Sequence, residues 1–592
     1  MDILDIMIAK ALTPQGSADQ SAQIARQAAE TARTAAAEAA SIIDTLNAAD
    51  VRNLVLSLTN TSTEDASIYN LVTTYPDEST RTLNNLFKLY NTTGENIDGT
   101  MTQQAISIAL QNAQINLGSE NAGKVVIVNN DGSLIASTKT PEDIEPSDEP
   151  VVDPTTTAIL GLHIDYVAKT FTRTDDALGK EAGTDFNQYA MYGGRKRCIV
   201  DDDGTIVAFA GQPNYIEDGS LGQVMVYQPA FYYQRTIEKA IATTVGQIVQ
   251  QETIRISDQP KTGFKLHPAF YDVNKNPLTY ILLPAYESTY YDVSTNSYNT
   301  TDSSDIDIAM DKLSIIANAK PLSGAHKTLT VVDFEQLATN RGQGWHITNI
   351  AAESANQLLF LIEYGNFNAQ QEIEKGVCNL SKVGSENFAN QTGSTSYLGN
   401  TTGAATASTN ITNGNTVTYT EEGQRSVSYR GMENPWGNMW RFVGGVKIQG
   451  NGSQAGGVPY ICDNFQYDFS AEAANYHSVG FALTSNSSWV SALGYGNSDY
   501  DWVLMPAAAS NANSVLPIGD YFWSLSNLNG VATVGLGGPA SHGLNDGLFY
   551  YACDNIGLHS SRLFSARLMY IPNATSNSYQ TSYNAWKNIM KG

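Results

Sequence analysis

The chain changes its hydrophobic rhythm twice. Between residues 17 and 49, Ala25, Ala28, Ala32, Ala35, Ala39, Ile42 and Leu46 recur at alternating spacings of three and four. That is the heptad period of a helix with one apolar seam. The helical reading continues over 50–115, through Leu54, Leu56 and Leu58 and then Leu83, Leu86, Phe87 and Leu89. Residues 124–128 and 134–135, on either side of Asp131-Gly132, predict a β-hairpin. A run of acids with Pro141, Pro146, Pro150 and Pro154 fills 138–157 and reads as a semi-rigid linker. From 158 to 575 the rhythm shortens to brief strands between Gly and Asn turns, with frequent Tyr and Trp. Asp201-Asp202-Asp203-Gly204 joins two such strands. It lacks the closing Glu of a calcium loop, and a hairpin turn is the better reading. Two stretches, 286–306 and 383–422, show no apolar period and predict long loops. At the start, Ile3, Leu4, Ile6, Met7 and Ile8 form an apolar cluster before Pro14 and Gly16. Exposed, such a cluster is unfavourable unless it docks on something.

Composition narrows the function classes. A chain of 592 residues implies several domains. Its formal net charge of -25 argues against binding nucleic acid through phosphates, which needs a basic face. Cys198, Cys378, Cys462 and Cys553 are far apart, without zinc spacing, and read as free thiols. The N-terminus lacks the basic segment of a signal peptide, and no run is long enough to span a membrane. Neither a metal nor a cofactor is expected. Catalytic motifs are missing too: there is no G-x-S-x-G elbow and no H-E-x-x-H. Asp499, Asp501, Asp520 and Asp546 leave a carboxylate pair for glycan hydrolysis open. No repeat of a β-helix accompanies them.

The densest signal is the stretch 429–443. Arg430-Gly431-Met432-Glu433-Asn434-Pro435-Trp436-Gly437-Asn438 leads to Trp440 and Arg441. Gly537-Gly538, Asp546-Gly547-Leu548-Phe549 and Ala566-Arg567-Leu568 follow. Pro435 and Gly437 set a turn, and Trp436 and Trp440 suit a core. This order resembles the C-type-lectin-like fold, in the version found on phage virion fibres and on the variable proteins of diversity-generating retroelements. Further blocks fit the same family: 257–270, 344–349 with the helix that follows, and the "TG-x-n-x-d-G-x-MTQ" motif over 93–106.

The resemblance implies a multidomain fold: an N-terminal α-helical coiled-coil stalk, then an α+β lectin-like head rich in short antiparallel strands and long loops. The implied division is a virion-anchor peptide over 1–16, a trimeric helical stalk over 17–115 and a small β-element over 116–137. The linker over 138–157, the head over 158–575 and a tail over 576–592 complete it. The anchor residues are then Ile3, Leu4, Ile6, Met7 and Ile8, and the trimer seam is Ala28, Ala32, Ala35, Ala39, Ile42 and Leu46. By the same resemblance the frame of the ligand face is Gly537, Gly538, Gly543, Gly547, Phe549, Arg567 and Leu568. Its exposed reading residues are Ser541, His542, Asn545, Tyr550, Tyr551, Asp554, Asn555, His559 and Ser560, with Tyr495, Asn497, Asp499 and Tyr500 as a rim. Such side chains suit recognition, giving aromatic area at low entropy cost and adaptable hydrogen bonds. The implied protein is a non-enzymatic homotrimeric fibre of a virion, assembled in the host cytoplasm. It holds other virion proteins through its N-terminus and binds a bacterial surface glycan or protein. The alternatives are a capsid decoration or tail assembly protein that docks other virion proteins and, behind it, a glycan hydrolase.

Overall fold

Alternation at spacing two, not the heptad, governs residues 55–90. In the computed structural model these form β1 (Val55–Thr63), β2 (Ala66–Thr74) and β3 (Thr80–Tyr90), an antiparallel meander. Leu56 and Leu58 sit two apart among Ser and Thr and pair with Thr73 and Leu71. Two-residue spacing in a β-branched, Thr-rich segment suits a pleated strand. Across the predicted hairpin, β4 (Val126–Val128) pairs with β5 (Ser133–Ala136), and β5 pairs with β1, in the order β3-β2-β1-β5-β4. The helical reading is thus overturned over these strands, and with it the fold class of a coiled-coil stalk before an α+β head; the rest of 50–115 lies outside the described residues. The described residues are mainly β, their helices are short, and none forms a long stalk.

The structure describes these five strands and residues 158–590, except 303–304, 325–327, 381–388, 413–414, 454–455, 463, 471–472 and 511–517. The anchor cluster, the Ala28–Leu46 seam, the 93–106 motif and the acidic linker lie outside the described residues. The chain divides into two units, Met1–Asp148 and Glu149–Lys591.

In the second unit, a six-stranded sheet runs in the order Trp345–Ile347, Leu568–Tyr570, Tyr280–Pro284, Gln223–Pro229, Lys196–Val200 and Ile206–Phe209. Its last two strands are the hairpin around Asp201–Gly204. Gly204 has φ 86°, and the Tyr570 ring packs against it while its hydroxyl donates to Asp203 O at 3.0 Å. A Cβ there would strike the ring, so glycine is needed twice over. A fifteen-stranded sheet holds most other strands. The two predicted loops contain strands of their own: Thr289–Asp292 with Ser297–Asn299, and Thr409–Thr412 with Asn415–Thr418.

The helix Ile350–Tyr364 is buried along nearly its whole length, its polar residues included. Asn349 caps its start by accepting from Ala352 N, and Gly365 ends it at φ 71°. Two of its buried residues are glutamates. Glu353 receives Arg441 through two bonds of 2.8 and 3.0 Å, and Glu363 receives Arg430 at 2.7 and 2.6 Å. The helix therefore grips the 429–443 segment at two points about 15 Å apart along its axis. A bidentate guanidinium–carboxylate pair fixes orientation as well as distance.

The tail is also structured. Asn577–Met590 is a helix whose Tyr579, Ser582, Trp586 and Met590 are buried, at spacings of three and four. Trp586 donates to Gly194 O at 2.7 Å and stacks on Tyr227, which stacks on Tyr280, which stacks on Tyr579.

Removing one partner of a buried pair leaves an uncompensated charge. Glu363→Ala is expected to lower unfolding free energy by about 3–5 kcal/mol, read from denaturant curves of the full chain. Glu363→Gln, which keeps the acceptor oxygen, should lose less.

Candidate functional site

The turn at Glu433-Asn434-Pro435 organises the region where sequence reading placed the ligand. Asn434 and Asn438 take positive φ values of 47° and 64°, which Asn tolerates better than most residues. Arg567 donates to Glu433 O at 2.7 Å and to Asn434 O at 2.5 Å. Arg441 donates to Pro435 O at 2.7 Å. Three successive carbonyls are thus satisfied by two buried guanidiniums, which are themselves paired with Glu287 and Glu353. The Glu433 side chain accepts from Gly393 N, Thr395 N and the Thr395 hydroxyl. Burial, then the charge of Glu287, pushes its carboxyl up to about 7. Trp436 and Trp440 are buried, so the block is a scaffold.

The scaffold reaches the Gly-Gly turn directly. Gly437 N donates to Gly537 O at 3.0 Å, and Gly537 N donates to Tyr550 O at 2.9 Å. Gly537 and Gly538 have φ values of 96° and 92°. A Cβ at Gly537 would meet Arg441 Nη1, and one at Gly538 would meet Asp546 Oδ1.

Of the residues expected to read a ligand, Tyr550 and Tyr551 are corrected: both are fully buried. Tyr550 lies over Trp440, ring centroids 4.4 Å apart, and its hydroxyl meets His542 Nδ1 at 2.9 Å and Trp523 Nε1 at 2.7 Å. The Tyr551 hydroxyl and the Gln357 side chain bond each other in the core. The local cause is that 548–553 forms an unbroken buried run, so strand alternation does not free either ring. Ser541, His542, Asn545, Asn555, His559 and Ser560 are partly exposed, and Asp554 is exposed. Asn555 Nδ2 donates to Asp554 Oδ1 at 3.3 Å. Burial lowers the His542 and His559 imidazoles, so both are neutral near pH 7. Asp499 and Tyr500, expected at the rim, line a different cleft of about 410 Å³ with Pro268, Asp272, Asn349 and Trp502.

Three aromatics that the sequence did not single out stand beside this face. Trp489, Tyr521 and Trp523 are each half-buried. Trp489 and Tyr521 are cross-strand partners, with ring centroids 5.4 Å apart, and Tyr521 lies 4.9 Å from Trp523. The signal was the alternation in Tyr521-Phe522-Trp523, where Phe522 points inward and its neighbours do not.

The four candidate carboxylates divide. Asp501 is tied to Lys265 at 2.8 Å and to the Tyr233 hydroxyl. Asp520 and Asp546 lie together in the core behind the face. Asp520 Oδ2 accepts from Phe549 N at 2.7 Å, whereas neither oxygen of Asp546 has a hydrogen-bond partner. Burial raises both far above the ordinary 3.8, and Asp520 adds to the rise at Asp546.

A carboxyl raised on folding stabilises the fold below its unfolded pKa, and that stability is lost as pH rises through the folded pKa. Stability should therefore be fullest below about pH 4 as far as this pair is concerned, and decline as pH rises above it. Asp546→Asn, whose amide can donate to Asp520, is expected to raise Tm by a few degrees at pH 8. The gain should vanish near pH 4, as followed by calorimetry of both proteins. No protein-family model matches this chain and no curated protein matches it, so the geometry carries the functional argument.

Proposed function

We propose that this chain is a fibre protein of a phage virion whose C-terminal lectin-like domain binds a ligand on the bacterial surface. The observation that carries the reading is the face over the Gly537-Gly538 turn. His542, Asn545, Asp554, Asn555, His559 and Ser560 present small polar groups there, and Trp489, Tyr521 and Trp523 present ring area beside them. Rigid aromatics next to adaptable polar groups are the composition of recognition surfaces. The scaffold beneath is held by buried ion pairs, so side chains on the face can vary without moving it. In this reading the protein is a homotrimer carried on the virion through its N-terminal residues, and several weak contacts combine into firm attachment.

One observation favours a second reading, docking on another virion protein. Leu544, Ile556 and Leu558 are 51%, 48% and 52% exposed on the same segment. Apolar side chains gathered at a surface mark interfaces.

The two readings separate in one experiment. Fluorescently labelled full chain is mixed with a panel of intact bacteria, beside an Asp554→Ala/Asn555→Ala/His559→Ala variant with unchanged Tm. Saturable wild-type binding, weakened about tenfold or more in the variant, supports adhesion. If the variant binds like the wild type while Ile556→Ser/Leu558→Ser blocks incorporation into particles, the face is a docking surface.

A further inference from the structure

The Trp489–Tyr521–Trp523 strip has a chemistry of its own. Strand parity sets its members on one face. Trp489 pairs with Tyr521 on one side and with Ser510 on the other. Trp523 pairs with Ala552, and the exposed Asp554 follows two residues beyond, at a register shift in that strand. Ser491 follows at a register shift two residues after Trp489 and is also partly exposed. The hydroxyl of Ser510 lies across from Trp489, and Ser491 and Asp554 follow along the same strands.

The polar heads of the inner two rings are already used. The Tyr521 hydroxyl donates to Ser487 O at 3.0 Å, and Trp523 Nε1 bonds the Tyr550 hydroxyl at 2.7 Å. Those bonds orient the rings in advance; Trp489 meets Tyr521 edge to face at 85° and Tyr521 is tilted 53° from Trp523, so the strip offers a stepped series of ring faces and edges. A ligand matched to this offers flat apolar C–H surface ringed by hydroxyls, the form of a pyranose. The ring-to-ring steps of 5.4 and 4.9 Å are close to the length of one sugar unit, so a chain of sugars can address successive rings.

Two observations select among occupants. A peptide joining the sheet by strand addition needs a free edge. Both strands under the strip are paired on both sides where the rings sit: Trp489 with Ser510 and Tyr521, Phe522 with Ser488 and Tyr551. Charge then excludes an acidic glycan. The strands bearing the strip contain no Lys or Arg, and the chain carries a net charge of -25. We infer that Trp489, Tyr521 and Trp523 form a binding strip for a neutral, pyranose-based oligosaccharide. The inference rests on the adhesion reading for the source of the sugar, the bacterial envelope.

The test uses the full chain and named probes: maltotetraose, cellotetraose, chitotetraose and, as an acidic control, oligosialic acid. Tryptophan emission and saturation-transfer NMR report binding. At least one neutral tetrasaccharide should bind saturably and shift the emission, and oligosialic acid should not. Trp489→Ala and Trp523→Ala should each weaken that binding about tenfold or more, while Trp489→Phe, which keeps a ring, retains most of it. Calorimetry confirms that each variant is folded. If no neutral probe binds, or if the Ala variants bind as well as the wild type, the inference is overturned. Adhesion to the bacterial panel runs alongside. Adhesion that survives periodate oxidation of the cells but not protease treatment points to a protein partner and overturns the sugar while leaving adhesion standing. Oligosaccharide binding without adhesion to any bacterium leaves the strip standing and removes the adhesion reading.

Discussion

Three adjacent backbone carbonyls, those of Glu433, Asn434 and Pro435, point into the protein where no water reaches, and two arginines satisfy all of them. Buried carbonyls need donors, and buried guanidiniums need counter-charge. Arg441, six residues on, serves Pro435, and the other requirements are met from far away in sequence: Arg567 from the closing strand, Glu287 from the middle of the chain, Glu353 from the central helix. The turn cannot form until those three elements have met. It follows that the scaffold is specified by polar geometry as much as by apolar burial, and that its members stand or fall together.

The candidate face inherits its position from this arrangement. Arg441 leaves no room for a side chain at Gly537, and Trp440, one residue earlier, is the floor under Tyr550 and His542. Tyr550 in turn orients Trp523 through its hydroxyl. A continuous line of contacts therefore runs from the turn to the exposed rings. Behind the face sits the acidic pair Asp520 and Asp546, an unfavourable burial tolerated within a frame this strongly held.

How much of this was legible depended on whether the signal was local. Pro435, Gly437 and the tryptophans announced a tight buried turn, because backbone conformation restricts which residues fit. The Asp-Gly hairpin around Gly204 was readable for the same reason. The strands within 55–90 misled because isolated leucines match two periods at once, and the Thr-rich context that selects the strand was outweighed by the neighbouring heptad. Tyr550 and Tyr551 misled because alternation assumes one solvent face, and this run has none. Trp489 and Tyr521 were invisible as a pair because their contact depends on a register that the 31 intervening residues do not reveal. The ion pairs of Arg430, Arg441 and Arg567 were equally hidden, since nothing local marks a glutamate as a distant arginine's partner.

The strand Leu568–Tyr570 lies between Tyr280–Pro284 and Trp345–Ile347, and the stack of Tyr227 and Tyr280 is closed on both sides by the Asn577–Met590 helix. Two strands of one sheet are thus made well before the strand that lies between them and the helix that covers the stack. During translation the nascent domain must wait with an open slot in its sheet and an uncovered aromatic stack. A chain cut before Leu568 keeps that slot open and the stack bare, so the loss of one short strand exposes the sheet from within.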